Sequence, residues 1–322
     1  MAIDRPVVVA LGPVDPAVVT GVLGDEIAFV ADPSEQEIAN AVGAIVRADA
    51  VIDAAFLARA PRLRVIARTG VGVDHVDLPA ATARGIPVVI TPGSGTRAVA
   101  EGVFAMALHL VKRLGPATDL VRHGRWADRG QVSMGDLDGA TIGIIGYGRI
   151  GRRVGELATA FGMQVLAYDP FSAPPAEVAS SNVLELASAS DVVTLHVPLT
   201  KETDHLVDEA FLDRVRPGTI LINCSRGGLV DLDAALAALD FGRLGGVGLD
   251  VFENEPPEHH LLFDHHDVVL TPHLMGMTRC AAAATFVDAA RGVVDVLAGR
   301  RSAAVANPEW VDTVRIEEMR IT

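Results

Sequence analysis

Short apolar runs alternate with amphipathic stretches along most of the chain. In the N-terminal part, β-branched runs at 7–11, 44–46, 65–68 and 88–90 are separated by helical patterns, with Pro and Gly between them. That alternation predicts a parallel sheet covered by helices. The cluster Pro92-Gly93-Ser94-Gly95 interrupts it. After the interruption, Val99, Val103, Met106, Leu110 and Leu114 fall on one helical stripe, which Gly115-Pro116 is expected to stop. A second run of strands follows at 141–145, 164–168, 192–196, 219–223, 246–250 and 268–270, a set that suits one dinucleotide-binding domain. A last helix over about 278–297 and a tail through Asn307-Pro308 lie beyond its final strand.

One stretch of the second run carries recognisable chemistry. Its first strand leads into Gly146-Tyr147-Gly148-Arg149-Ile150-Gly151, and the next strand ends on Tyr168-Asp169. Gly146 suits the tight turn of a G-x-G-x-x-G loop, Gly148 lets backbone approach a pyrophosphate, and Gly151 lets helix pack on strand. The helix start offers free N–H groups and the positive end of its dipole to phosphates. Asp169 is placed to accept hydrogen bonds from ribose hydroxyls. Its charge would repel a 2′-phosphate, and Pro170-Phe171 supplies no Arg to offset it, so the expected cofactor is NAD rather than NADP.

Composition narrows the function classes. The chain has 322 residues, enough for two domains of ordinary size, and is 50% hydrophobic but only 4% aromatic, which predicts an aliphatic core. A formal net charge of −14 argues against a nucleic-acid surface, and an anionic substrate would need a local positive site. Cys224 and Cys280 form no disulfide framework and read as reduced thiols of a cytoplasmic protein. No targeting signal or membrane span is expected: the N-terminus runs straight into a buried strand, and the apolar stretch 98–114 holds Glu101, His109, Lys112 and Arg113. With only Lys112 and Lys201, there is little room for lysine chemistry. The pairs His259-His260 and His265-His266 lack metal-site spacing and read as a solvated loop, so no metal is expected.

Ligands of open parallel sheets sit beyond the carboxyl ends of the strands. Arg226, in Asn223-Cys224-Ser225-Arg226-Gly227-Gly228, Glu255, shortly after Leu249-Asp250-Val251-Phe252, and His273, in Thr271-Pro272-His273, fall at such ends. Hydride transfer between a 2-hydroxy acid and NAD needs a base for the hydroxyl proton, which His supplies near neutrality. A carboxylate beside it, Glu255, would raise its pKa and fix its tautomer. A planar charged fork, Arg226, would grip the substrate carboxylate and polarise the adjacent carbonyl. Singly, each of these residues also has an ordinary structural use; together at one sheet edge they point to catalysis.

These segments resemble the D-isomer-specific 2-hydroxyacid dehydrogenase family, and within it the phosphoglycerate dehydrogenase branch. The matching stretches are Ala67-Arg68-Thr69-Gly70-Val71-Gly72-Val73-Asp74, Val99-Ala100-Glu101, the glycine loop, His196-Val197-Pro198-Leu199-Thr200, and the segments 223–231, 249–257 and 271–273. The resemblance implies two Rossmann-like α/β domains. An NAD-binding domain, 98–284, would be inserted in a flavodoxin-like substrate domain made of 1–97 and 285–322. The active site would lie in a cleft that closes during catalysis, in a homodimer joined through the NAD domains. By motif position, Arg226, Glu255 and His273 would be catalytic. Gly146, Gly148, Arg149, Ile150, Gly151, Asp169, Thr203, Cys224, Asp250 and Thr91 would contact NAD. Backbone at Val71 and Gly72 would help to hold the substrate carboxylate, and Arg68 would take a substrate phosphate, its alternatives being a solvent-facing Arg or a pair with Asp74 or Asp77.

The chain departs from the family pattern at Gly95, which removes a side-chain donor, and at Leu274-Met275-Gly276-Met277, where two thioethers either reshape the pocket or point into the core. The expected activity is NAD-dependent oxidation or reduction between a small D-2-hydroxy acid, by the resemblance 3-phosphoglycerate or a related phosphorylated acid, and its 2-oxo acid. A hydroxypyruvate or glyoxylate type of reductase and an NAD-sensing co-repressor remain open alternatives. Formate dehydrogenase chemistry is disfavoured because Glu255 stands where those enzymes pair Gln with His. The chain ends before the place where longer phosphoglycerate dehydrogenases carry regulatory domains, so a short form without feedback control by serine is expected.

Overall fold

The computed structural model describes residues 5–312. Their contacts divide into two compact units, one formed by 5–95 with 278–312 and the other by Thr96–Met277. Each is an α/β unit built on one parallel sheet.

The first unit holds β1 (Val7–Leu11), β2 (Ala28–Val30), β3 (Ala41–Val46), β4 (Val65–Arg68) and β5 (Val88–Val89), in the spatial order β2-β1-β3-β4-β5. This is the flavodoxin-like winding. Successive side chains of the central strands point to opposite faces. Val9, Ala44, Val46 and Ile66 therefore pack with Phe56, Leu57 and Ile86 on one side. Val8, Ile45, Val65 and Ala67 pack on the other against Phe286, Ala290 and Val293 of the helix Arg279–Leu297. That helix runs unbroken through 284–285, and the division between the units precedes it, at Met277/Thr278. Strand β2 has no sequence signal because it is a three-residue edge strand with no fully buried residue. Beyond β5, Ala306 donates to the Val88 carbonyl at 2.8 Å and Ile90 to the Ala304 carbonyl at 3.1 Å. The buried Asn307 joins Val88, Thr82 and Ile86, so the C-terminal segment covers this edge.

The second unit contains the six expected strands: β6 (Thr141–Ile145), β7 (Gln164–Tyr168), β8 (Val192–Leu195), β9 (Thr219–Asn223), β10 (Leu244–Leu249) and β11 (Val268–Leu270). Their order is β11-β10-β9-β8-β6-β7. A dinucleotide-binding sheet usually has one more strand outside the second. Here that place is reduced to a single bridge between Ala167 and Ala179. Pro174 and Pro175 lie in the connecting segment and cannot donate to a ladder, which limits a longer strand there.

The helix expected to stop at Gly115-Pro116 instead ends at Val111. Arg113 takes a left-handed conformation (φ 50°), and a second helix, Leu114–Arg122, begins with Gly115 and Pro116 inside its first turn. A proline there gives up an N–H that the helix could not have used, so this Gly-Pro marks a start rather than a stop.

Register places the site. Tyr168, Ile145, Leu195, Asn223, Leu249 and Leu270 are successive partners across the sheet and form one row at its carboxyl edge. The residues that follow them are Asp169, Gly146, His196, Cys224, Asp250 and Thr271. Chain reversals between β6 and β8 make this edge the switch point at which open α/β sheets bind ligands.

Candidate active site

At the switch point, Gly146 has φ 97°, and a Cβ there would lie 2.5 Å from the His196 carbonyl oxygen. A Cβ on Gly151 would come within 2.1 Å of the Gly146 oxygen, so only glycine lets the helix Arg149–Ala160 start against the loop. Gly148 caps that helix without any side-chain hydrogen bond, and a Cβ on it would meet nothing within 4 Å. The first-turn N–H groups are therefore left without a side-chain cap beside open space, an arrangement that fits a pyrophosphate. Arg149 is exposed at the start of this turn and Ile150 half-buried behind it.

Asp169 is fixed by the loop it faces. Its Oδ2 accepts from Tyr147 N, and its Oδ1 from Phe171 N and Ser172 N, each at 2.8 Å. A carboxylate has about four acceptor positions, so roughly one is left, enough for a ribose hydroxyl. Thr203 Oγ1 donates to the Pro198 carbonyl at 2.7 Å and accepts from Thr200 N at 2.8 Å, closing the turn that follows β8. The Cys224 thiol is buried, and burial, reinforced by the neighbouring Asp250 carboxylate, pushes its pKa up and keeps it protonated.

Beyond Leu249, Asp250 gathers the loop that carries His273. Its buried carboxylate accepts from Thr271 Oγ1 (2.6 Å), Leu274 N (2.8 Å) and Met275 N (3.1 Å), while its carbonyl accepts from His273 N at 2.8 Å. His273 is held at φ 54°, a conformation uncommon for a residue with a side chain. Its Nδ1 lies 2.7 Å from Glu255 Oε2, and Glu255 Oε1 accepts from Phe252 N at 3.0 Å. Both side chains are roughly half exposed, so the dyad is open to a ligand.

Arg226 belongs to the same network. The buried Asn223 donates from Nδ2 to the Arg226 carbonyl at 2.8 Å, its Oδ1 accepts from Ser225 N at 3.0 Å, and its carbonyl accepts from Asp250 N at 3.0 Å. Arg226 Nη1 donates to the Ser225 carbonyl at 2.7 Å. The next residue, Gly227, packs so closely that a Cβ would sit 1.8 Å from the Phe252 carbonyl carbon. The Arg226 turn is thus pressed onto the segment that leads to Glu255. Neither Gly227 nor Asn223 stands out in the sequence as a site residue: the Gly-Gly after Arg226 is the one signal for the first, and nothing distinguishes a strand-end Asn for the second.

The first unit carries the remaining expected residues. Arg68 ends β4 and is only 4% exposed; its Nε donates to the Gly72 carbonyl at 2.9 Å and its Nη1 to the Arg47 carbonyl. It does not face solvent; the bond to Gly72 ties down the turn that contains Val71 and Gly72, and the other anchors the side chain to the segment after β3. Val71 is exposed on that turn. Thr91 follows β5, donates from N to the Gly70 carbonyl at 3.0 Å, and buries an Oγ1 that has no partner. Buried hydroxyls of that kind are uncommon.

Met275 points into the core, where it packs on Gly102 and leaves no space for a Cβ there, whereas Met277 and Leu274 are exposed. His265, His266 and Asp267 bring three donor atoms within 4.8 Å of one another. All three are already engaged: Asp267 pairs with Arg113 at 2.5 Å and with His266 Nε2 at 3.3 Å, and His265 Nδ1 accepts from Asp267 N at 3.1 Å.

Comparison with known proteins agrees with this geometry. Residues 104–275 match the family model described as D-isomer specific 2-hydroxyacid dehydrogenase, NAD binding domain. A D-3-phosphoglycerate dehydrogenase from Mycobacterium bovis is 37% identical over 96% of this chain and 62% of its own length. The chain therefore spans less than two thirds of that relative. The solved structure of the TT0316 protein from Thermus thermophilus superposes with a TM-score of 0.85 at 34% identity, over 93% of this chain and 99% of that one. D-lactate dehydrogenase from Aquifex aeolicus, solved with NAD and lactic acid, gives 0.81 at 30% identity, over 94% and 99%. With the family's NAD-binding domain matched across more than half of its residues, the chain belongs to the D-isomer-specific 2-hydroxyacid dehydrogenase family.

Proposed function

We propose that the protein interconverts a D-2-hydroxy acid and its 2-oxo acid with NAD, and that Arg226, Glu255 and His273 carry the reaction. The observation that bears most weight is the 2.7 Å contact between His273 Nδ1 and Glu255 Oε2. With Nδ1–H donated to the carboxylate, Nε2 is the ring nitrogen that takes the hydroxyl proton in oxidation and returns it in reduction. Glu255 stabilises the imidazolium formed in between and is itself oriented by Phe252 N. Arg226 grips the substrate carboxylate and polarises the neighbouring oxygen. Bound NAD supplies the hydride acceptor. Helix N–H groups beyond Gly148 would hold its phosphates and Asp169 its ribose, and Asp250 would add a further polar contact.

We assign the finer substrate to a phosphorylated acid of the 3-phosphoglycerate type, which the M. bovis relative's name supports. The buried Arg68 supports a role in shaping the Val71–Gly72 turn more than direct exposure to a phosphate. The first unit is assigned to substrate and the second to NAD, in a cytoplasmic homodimer. Exposed Leu114, Val121, Trp126 and Met134, close in sequence within the NAD unit, support pairing with a second copy there, which light scattering of wild type and Trp126→Glu tests. For the activity, NADH oxidation is followed with a panel of 2-oxo acids, each with and without a phosphate. Turnover of the phosphorylated members is expected; preference for glyoxylate or unphosphorylated hydroxypyruvate would reassign the substrate, and no turnover of any would overturn the enzymatic reading.

A further inference from the structure

Asp169 accounts for half of a more elaborate arrangement around Tyr147 and Ser172. Its carboxylate accepts the backbone N–H of both residues at 2.8 Å. Arg152, one turn into the helix that follows the glycine loop, grips the same two residues through their oxygens. Its Nε donates to the Tyr147 carbonyl at 3.1 Å and its Nη2 to Ser172 Oγ at 2.8 Å. Anion and cation therefore hold the same two turns, the glycine loop at Tyr147 and the turn at Ser172 after the next strand, without forming an ion pair with each other.

The partners of Arg152 are both neutral, whereas the adjacent Arg153 is paired with Glu156 at 2.6 Å. Among the described residues Arg152 forms no ion pair, and it is exposed. It thus presents a forked positive charge beside the carboxylate that faces the ribose, in a protein whose net charge is −14. An Arg near the ribose acid is the usual means of accommodating a 2′-phosphate. No Arg lies among the residues just after Asp169 in the sequence; the fold brings one from the neighbouring helix.

We propose that Arg152 is the second determinant of dinucleotide choice: with Asp169 it fixes the ribose-facing loop, and once that carboxylate is removed it acts, with Ser172 Oγ, as the partner of a 2′-phosphate. NAD preference then rests on Asp169 repelling a phosphate that Arg152 would otherwise accept. This rests on the reading of the glycine loop as the NAD site.

The test is binding of NADH and NADPH to the full chain by titration calorimetry, using wild type, Asp169→Ala, Arg152→Gln and the double variant, each checked for folding by circular dichroism. Wild type is expected to favour NADH and Asp169→Ala to admit NADPH. Adding Arg152→Gln to Asp169→Ala should then weaken NADPH about 10-fold, the effect of one charge-assisted contact, while NADH changes less than about threefold. Arg152→Lys in the same background should retain part of the NADPH affinity. Equal losses for the two dinucleotides would reduce Arg152 to a structural residue and overturn the proposal, as would failure of Asp169→Ala to admit NADPH. Wild type that binds neither dinucleotide would overturn the NAD reading itself.

Discussion

The carbonyl of Asp250 accepts the N–H of His273 at 2.8 Å, and the Asp250 carboxylate binds residues on both sides of that histidine. A buried acid at the end of one strand thereby fixes the histidine proposed for acid–base work at the end of the next. Asp250→Asn keeps the shape but replaces one acceptor oxygen by a donor, facing either Met275 N or the pair Leu274 N and Thr271 Oγ1. A shift of about 1 Å at the reacting group can cost on the order of 10²-fold in rate. The expected result is a fall in kcat of that order, with NADH affinity measured separately by fluorescence. An unchanged kcat would show that the loop holds His273 without Asp250.

Gly227 tests the link between Arg226 and Glu255. Gly227→Ala would drive a methyl group into the Phe252 backbone, which lies 1.8 Å from the Cβ position. Overpacking of this kind costs about 1–3 kcal/mol, and here the segment that must move leads to Glu255. Both a lower melting temperature and a lower kcat are expected. Gly228→Ala is the control, because its Cβ would meet side chains rather than backbone: Leu199, at 3.0 Å, which can shift, and Asp204 in ordinary contact at 3.6 Å. Equal effects of the two substitutions would contradict the assignment.

Acid stability should reflect His196, whose Nδ1 is buried without a partner and whose pKa burial lowers from 6.5 to about 3. The unfolded chain binds this proton from near pH 6.5 downward, whereas the folded chain does so only near pH 3. Stability contributed by the neutral ring is therefore present above pH 6.5 and lost as pH falls, by up to about 1.4 kcal/mol per unit from this group. His196→Phe should flatten the pH dependence of unfolding between about pH 6 and 4, read by urea titration. A slope equal to that of wild type would contradict this account.

Much of the architecture is legible in the sequence because buried parallel strands are continuous apolar runs, and all six strands of the second unit fall where such runs occur. Edge elements escape it: β2 is short and nowhere fully buried, and Gly115-Pro116 can close one helix or open the next. In the site, Arg226, Glu255 and His273 are visible as residue types at strand ends. What joins them is not visible, because it depends on register: Asn223 partners both Leu195 and Leu249, and that row alone brings the turns together. Arg152 escapes for a similar reason, since its closeness to Ser172 arises from a helix packing beside the end of the next strand.

The most direct test of the acid–base assignment is single-turnover NADH oxidation by wild type and His273→Ala, using the best 2-oxo acid from the panel and with NADH binding measured on the same samples. Loss of the proton donor should slow the chemical step by about 10²–10⁴-fold. NADH affinity should stay near that of wild type, because the proposed phosphate and ribose contacts lie at the glycine loop. Near-normal turnover by His273→Ala with NADH bound would contradict the assignment of His273, and with it the proposed use of the Glu255 dyad.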